Sequence, residues 1–425
     1  MIPGKTTSSE FTRNVATLIT GSAVAQLIPL LVTPLLSRMY SPESFGDFGL
    51  FISIVSAISI IATARYEMAV MLPHKDEEAF HLVILAFIVS AAVGVITFLV
   101  VLVLRNAVNV NFQSHPMTGM WLYVLPVIVV LAGVFQTFSN WFNRKKNYRI
   151  LAAGTMISSA GTNSTSLLFG IFKMSSWGLF AANIIGQVVL NFYLFSKFAR
   201  EWKNFFPKFS KTLMKELALR YKIFPTVNVL YSLVGMLQIN GLIYLVSYFF
   251  STEELGHLSF SMRLLQAPVS LVGAAFSQVF YQKASSLHRE QASLQHLVKE
   301  TILKATLIGL PVVIVLIFAG PYLFSVIFGE GWRESGVYVS ILAPWFFFDF
   351  IRIPVSNIPM ILEKQKSMFV FTFLGNIILL AAMIYAGTVA HNIRSGLYTL
   401  SLCLSAYYIL IILWIYNISR KHEQA

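Results

Sequence analysis

Charge is scarce in this chain. Only 12% of its 425 residues are Asp, Glu, Lys or Arg, against 56% hydrophobic, and the mean hydropathy is +0.72. A soluble domain of that composition could not cover its surface with polar groups. Cysteine is nearly absent: Cys403 stands alone, which excludes an intrachain disulfide and a multi-cysteine metal site. Its simplest reading is a small side chain in the last apolar run. There is no phosphate-cradling P-loop lysine motif and no zinc-ligand spacing, and the eight histidines are scattered, mostly near loops. No soluble catalytic apparatus, metal or cofactor is therefore expected, and the chain reads as a protein that is not an enzyme.

What is present is long apolar runs. Twelve can be drawn, at about 14–37, 46–66, 80–104, 119–142, 150–172, 177–197, 223–250, 254–280, 302–328, 335–361, 367–389 and 395–418. Each is roughly the ~20 residues that an α-helix needs to cross a bilayer. The fold class expected is an all-α polytopic membrane protein of about twelve transmembrane helices. The first run is long enough to stay in the membrane, so no cleavable signal peptide is expected.

Acidic residues are also fewer than basic ones, 18 against 31, giving a net charge of +13. The distribution of the basic residues gives the reason. With the amino terminus inside and twelve spans, most Lys and Arg fall in inner segments. Outer segments hold Arg38, Arg105, Lys173, Arg333 and Arg394, while Arg263 and Arg352 lie within spans. This asymmetry follows the positive-inside rule and puts both termini in the cytoplasm. The basicity reports topology, not a nucleic-acid partner.

One turn occurs twice. "SRMYSPESFGD", Ser37 to Asp47, and "SYFFSTEELGH", Ser247 to His257, match position by position with a constant displacement of 210 residues. Ser41 and Ser251 are candidate helix N-caps, Pro42 suits the first helical position, and Ser251 with Glu254 has capping-box spacing. Glu43 and Glu253 fall in the first helical turn, where the macrodipole favours negative charge. A short loop between any two helices could converge on such residues, but the ungapped match favours a repeat. Six spans separate the copies, an even number, so both turns lie outside. Two six-helix bundles related by a parallel pseudo-two-fold repeat are expected, over 1–200 and 223–425.

The linker between them, 201–222, is the most basic inner segment. In "PKFSKTLMKELALRYK", Lys208, Lys211, Lys215 and Lys222 share one helical face, with Leu213, Met214, Leu217 and Tyr221 largely opposite. That pattern suits an interfacial helix against anionic head groups.

Polar groups at membrane depth mark candidate sites, because each charge there costs about 2.5–3.5 kcal/mol on insertion scales. Arg263 sits near the middle of its span. Asp349 and Arg352, in "PWFFFDFIRIPVSNIP", have the i,i+3 spacing that lets them pair, beside Pro344, Pro354 and Pro359. They are either a structural pair or part of an anion site. Arginines facing an aqueous space suit phosphate or pyrophosphate, which the planar guanidinium fork meets bidentately. Arg65 and Glu67, in "ATARYEMAVMLP", come roughly 30 Å along span two and reach the inner interface. Arg65 either meets a lipid phosphate or snorkels. Asp47 and His257 occupy equivalent repeat positions and, with Asp349 and Glu67, are candidates for a coupling ion; helix-end roles compete for the first two. Gln26, Asn163, Asn183, Gln187 and Asn240 are candidate polar lining or helix-packing residues. The fifth span, "LAAGTMISSAGTNSTSLLFG", is rich in small and hydroxyl residues, as packed transmembrane helices are.

Several stretches resemble a known family: "PLLVTPLLSRMYSPESFGDFGLF", "ATARYEMAVMLPHKDEEA", "NWFNRKKNYRILAAGTM" and "FGEGWRESGVYVSILAPWFFFDFIRIPVSNIPMILEKQK". They are similar to Wzx-type polysaccharide biosynthesis proteins. These are lipid-linked oligosaccharide flippases of the multidrug/oligosaccharidyl-lipid/polysaccharide exporter superfamily. The resemblance implies two six-helix lobes in a V around a cationic cavity. It implies movement of undecaprenyl-pyrophosphate-linked repeat units, of O-antigen, capsule or another envelope polymer, from the cytoplasmic to the periplasmic leaflet. Alternating access coupled to protons or sodium would drive this in the bacterial inner membrane, with a downstream glycan polymerase as a further partner. Arg263, Arg352 and Arg65 would hold the pyrophosphate. A multidrug or cation antiporter of the same superfamily is the alternative; acids deep in span one or seven would be expected of it, and neither span has any. A lipid II flippase of that superfamily typically has two further carboxy-terminal spans. A membrane glycan polymerase or ligase would need a larger outer segment than 105–118.

Overall fold

The structure, a computed structural model, describes residues 8–111, 121–290 and 293–421. Residues 112–118 of the segment 105–118, expected from the sequence to be external, and both chain ends lie outside the described residues. The described residues form helices joined by short turns, with no strand among them, and eight of these helices are long and apolar enough to cross a membrane. This is the all-α polytopic membrane class. Two compact units are formed, one by Met1–Tyr40 and Leu50–Met236, the other by Ser41–Gly49 and Leu237–Ala425.

The first unit contains α1 (Ser8–Met39), most of α2 (Pro42–Ile61), the short α3 (Tyr66–Ala69), α4 (Asp76–Asn111), α5 (Leu125–Arg144), α6 (Tyr148–Ile171), α7 (Ser175–Phe205) and α8 (Lys211–Arg220). Its core is aromatic at one end. Phe80 stacks on Phe198 at 5.9 Å, and Trp141 meets Phe198 edge-on at 5.5 Å. Elsewhere small residues let helices approach: a Cβ on Gly186 of α7 would lie 1.8 Å from the Thr162 hydroxyl of α6.

Helix α8 begins at Ser210, whose hydroxyl accepts from the Leu213 amide. Leu217 is fully buried, and Leu213, Met214 and Tyr221 pack on the same aromatic core. The apolar face of the linker helix is thus covered by protein, while Lys208, Lys211, Lys215 and Lys222 are exposed. Two further bonds fasten it. The Tyr66 hydroxyl donates to the Ala218 carbonyl at 3.0 Å, and the Ser210 amide donates to Nε2 of the buried His81 at 2.9 Å.

The second unit contains the first turns of α2, then α9 (Val229–Phe249) from Leu237 onward, α10 (Thr252–Arg289), α11 (Leu294–Phe328), α12 (Arg333–Val355), α13 (Ile358–Ile361), α14 (Gln365–Tyr385) and α15 (Ile393–Lys421). The capping box forms as its spacing predicts: Ser251 Oγ accepts from the Glu254 amide at 3.2 Å, and the Glu254 carboxylate accepts from the Ser251 amide at 2.9 Å. Ser41 repeats half of this, its hydroxyl accepting from the Ser44 amide at 3.4 Å.

The two copies of the repeated turn meet inside this unit. A Cβ on Gly46 would lie 2.1 Å from the Thr252 carbonyl oxygen, and one on Gly256 would lie 1.8 Å from that of Pro42. Glycine is required at both places by space, not by backbone angle. Phe45, beside this crossing, is buried edge-on against Phe260 and Trp332 at 5.3 and 5.1 Å.

Candidate functional site

The candidate residues fall into separate groups. Asp349 and Arg352 lie one turn apart on α12, and the predicted pair forms. Nε and Nη2 of Arg352 both donate to Asp349 Oδ1, at 3.0 and 2.6 Å. The guanidinium also sits 4.8 Å from the ring centre of Tyr408 on α15. Cation, carboxylate and π-face satisfy one another, as a charge at this depth requires. Arg352, Phe371, Thr372, Gly375, Tyr407 and Tyr408 line a half-open pocket beside the pair. Below it, Asn357 donates to the Ser277 hydroxyl at 2.7 Å and ties the end of α12 to α10.

Arg263, on α10, is half-buried, and no hydrogen bond or ion pair to it occurs among the described residues. It differs in this from Arg352, which pairs with Asp349.

His257 is buried at the start of α10. Its Nδ1 lies 2.9 Å from the Ser335 hydroxyl and its Nε2 lies 3.7 Å from Glu253. The Ser261 hydroxyl donates to the Ser335 carbonyl at 2.8 Å, so α10 and α12 are laced together here. Asp47 is half-buried, next to Gly46 at the crossing. Nearby, Arg394 donates to Glu334 at 2.7 Å.

Arg65 and Glu67 belong to the first unit. Sequence periodicity carries span two to residue 66, but the helix stops at Ile61. Ala64 and Arg65 adopt left-handed backbone conformations, with φ of 47° and 63°. Neither Gly nor Pro announces this break. Side-chain satisfaction explains it: the chain turns so that Glu67, fully buried, receives the Thr63 hydroxyl and Arg65 Nη1 at 3.3 Å. Arg65 Nε also donates to the Ser232 hydroxyl at 3.0 Å. Two strained residues in succession cost about 1–3 kcal/mol each and persist where surrounding bonds over-determine them. Further along, Arg144 fastens the segment before α4, donating to the Pro73 carbonyl at 2.7 Å and to Asp76 at 3.0 Å.

The polar residues proposed as lining differ in burial. Asn163 is buried and donates to the Ser159 carbonyl within its own helix at 2.7 Å. Gln187 accepts through its backbone carbonyl from Asn191, Asn240 is buried, Asn183 is half-buried and Gln26 is exposed. Tyr407 and Tyr408 escape a reading that tracks only formal charge. Adjacent tyrosines in mid-span were the available signal, since a buried hydroxyl needs a partner; Tyr407 donates to the Phe371 carbonyl at 2.6 Å. Among the described residues, no group of three or more His, Cys, Asp or Glu is placed to hold a metal ion.

This helical fold is shared with solved membrane proteins. It aligns with an inward-facing multidrug resistance MATE family transporter of the MOP superfamily at a TM-score of 0.68 and 13% identity, covering 96% of each chain. The lipid II flippase MurJ, in an inward closed conformation, aligns at 0.70 and 12% identity, over 93% of this chain and 86% of that one. The chain belongs to the polysaccharide biosynthesis protein family, whose profile matches residues 35–337. The succinoglycan biosynthesis transport protein ExoT of Rhizobium meliloti (strain 1021) is 21% identical over 339 residues, 78% of this chain. The chain spans 65% of the length of that relative.

Proposed function

We propose that this chain is a flippase for undecaprenyl-pyrophosphate-linked oligosaccharide repeat units. It carries them from the cytoplasmic to the periplasmic leaflet of the bacterial inner membrane, with both of its own termini in the cytoplasm. Membership of the polysaccharide biosynthesis protein family supports the class of cargo. The observation that carries the reading furthest is Arg263, a half-buried guanidinium on α10, a helix expected from the sequence to span the membrane, with no ionic partner among the described residues. A desolvated cation of that kind suits a phosphorylated lipid that brings its own negative charge. Arg65, presented at the inner end of span two, is the second pyrophosphate contact. Arg352 is already neutralised by Asp349 and contributes through that pair.

The work is movement, not bond cleavage, and an ion gradient drives it by alternating access. Protons exchanged in the opposite direction are the simplest coupling, with Asp349 and His257 as the carriers to test first. Purified protein in liposomes holding a fluorescent polyprenyl-pyrophosphate oligosaccharide tests the reading. The label should become accessible to an impermeant quencher faster than in empty liposomes, with a rate that responds to a pH gradient. Cation uptake in place of lipid exposure would favour the antiporter reading.

A further inference from the structure

We infer that the pocket beside Arg352 binds a sugar ring of the transported glycan, and that it is a specificity site distinct from the contact to the phosphates. This inference rests on the flippase reading and adds to it the chemical class the pocket accepts.

Three features of the pocket choose the ligand. The first is charge. Both donor groups of Arg352 in contact with Asp349 converge on one carboxylate oxygen, at 3.0 and 2.6 Å, so the pair presents no net charge. A phosphate gains little here, because Arg352, the one charged residue in the lining, is already neutralised while the cost of desolvating the anion remains. A neutral polyhydroxyl compound has no such penalty.

The second is hydrogen bonding. A carboxylate accepts through both oxygens and a guanidinium only donates. Asp349 takes up two of the Arg352 donors, and inside the pocket the rest of the guanidinium donates while the Thr372 hydroxyl can accept, which matches a pair of sugar hydroxyls: one accepts from Arg352 while the other donates to Thr372. Thr372, on α14, adds a hydroxyl at the exposed rim.

The third is shape. Phe371, Tyr407 and Tyr408 supply aromatic surface, and Gly375 leaves room over the Tyr407 ring, where an added Cβ would come within 3.4 Å. The C–H faces of a pyranose carry slight positive charge and meet the negative face of an aromatic ring favourably. The pocket volume is about 50 Å³, room for the edge of one ring, so the rest of the glycan would project through its open side.

The test uses the full-length protein in nanodiscs with Cys403→Ser and a reporter, Thr372→Cys, at the rim. Maleimide labelling of the reporter is followed during titration with glucose, galactose, mannose, rhamnose or N-acetylglucosamine, and separately with inorganic pyrophosphate. At least one sugar should slow labelling saturably, by about tenfold at ten times its apparent dissociation constant. Pyrophosphate should not. Tyr408→Leu should abolish protection and Tyr408→Phe should retain it; the Phe variant also shows that the helix still folds. If no sugar protects, or pyrophosphate protects as well as any sugar, the inference is overturned. That result would leave the flippase reading standing wherever lipid exposure in liposomes still depends on Arg263.

Discussion

Gly46 and Gly256 stand at matching places in the two copies of one turn, and each accepts the other helix at backbone distance. The carbonyl that excludes a side chain at Gly46 is that of Thr252, and the one that excludes it at Gly256 is that of Pro42. Those two carbonyls are themselves 210 residues apart, as the glycines are. The repeat is therefore written into a contact, each copy supplying what the other needs.

Alanine at either glycine forces backbone apart, because the obstructing atom is a carbonyl oxygen that no rotamer change can move. Gly46→Ala and Gly256→Ala should each destabilise the protein by about 1–3 kcal/mol or more, read as a lower thermal midpoint in detergent. Gly161→Ala is the control. Nothing lies within 4 Å of its Cβ position, so stability should be unchanged or raised by up to about 1 kcal/mol.

The Asp349–Arg352 pair makes a non-additive prediction. Asp349→Ala leaves a membrane-embedded guanidinium with only Tyr408 for company and should cost about 3–5 kcal/mol. The double variant Asp349→Ala/Arg352→Met removes the stranded charge and should recover most of that loss. A double-mutant cycle from denaturation curves measures the coupling; simple additivity would show that the two side chains act independently.

Ser251→Ala removes both the cap and its hydroxyl contact to Glu254, with an expected cost of about 1 kcal/mol. Ser251→Asp should restore most of it. Thermal midpoints of the three proteins compared side by side give the answer.

Docking of α8 depends on one buried leucine. Leu217→Ala should destabilise the first unit by about 2–5 kcal/mol. It should also expose the segment around Lys208–Lys222 to limited trypsin digestion, whereas Lys215→Gln should leave the remaining cleavage pattern unaltered. Equal sensitivity of the two variants would mean that the helix is held by its lysines.

Much of the fold and part of the site are legible in the residues. Long apolar runs prescribe helices because backbone polar groups in lipid have no partners but each other. The twin turn, its capping box and the i,i+3 Asp–Arg pair follow from local spacing, which the sequence displays directly. The break after Ile61 is different. It replaces helix with two left-handed residues that carry no Gly or Pro signature, and it is held by Thr63 within the turn and by Ser232 from a distant position. Tyr408 is similarly hidden, since its importance comes from a guanidinium 56 residues earlier in the chain. Contacts of this kind depend on how helices pack, and composition and periodicity within one segment do not encode them.

The most direct test of the transport reading is the rate at which a fluorescent undecaprenyl-pyrophosphate oligosaccharide becomes exposed in liposomes, compared for wild type, Arg263→Lys and Arg263→Ala. A guanidinium that grips the pyrophosphate predicts strong loss in the alanine variant and partial retention in the lysine variant, which keeps the charge but not the planar fork. Wild-type rates in Arg263→Ala protein that is folded and monodisperse would contradict it.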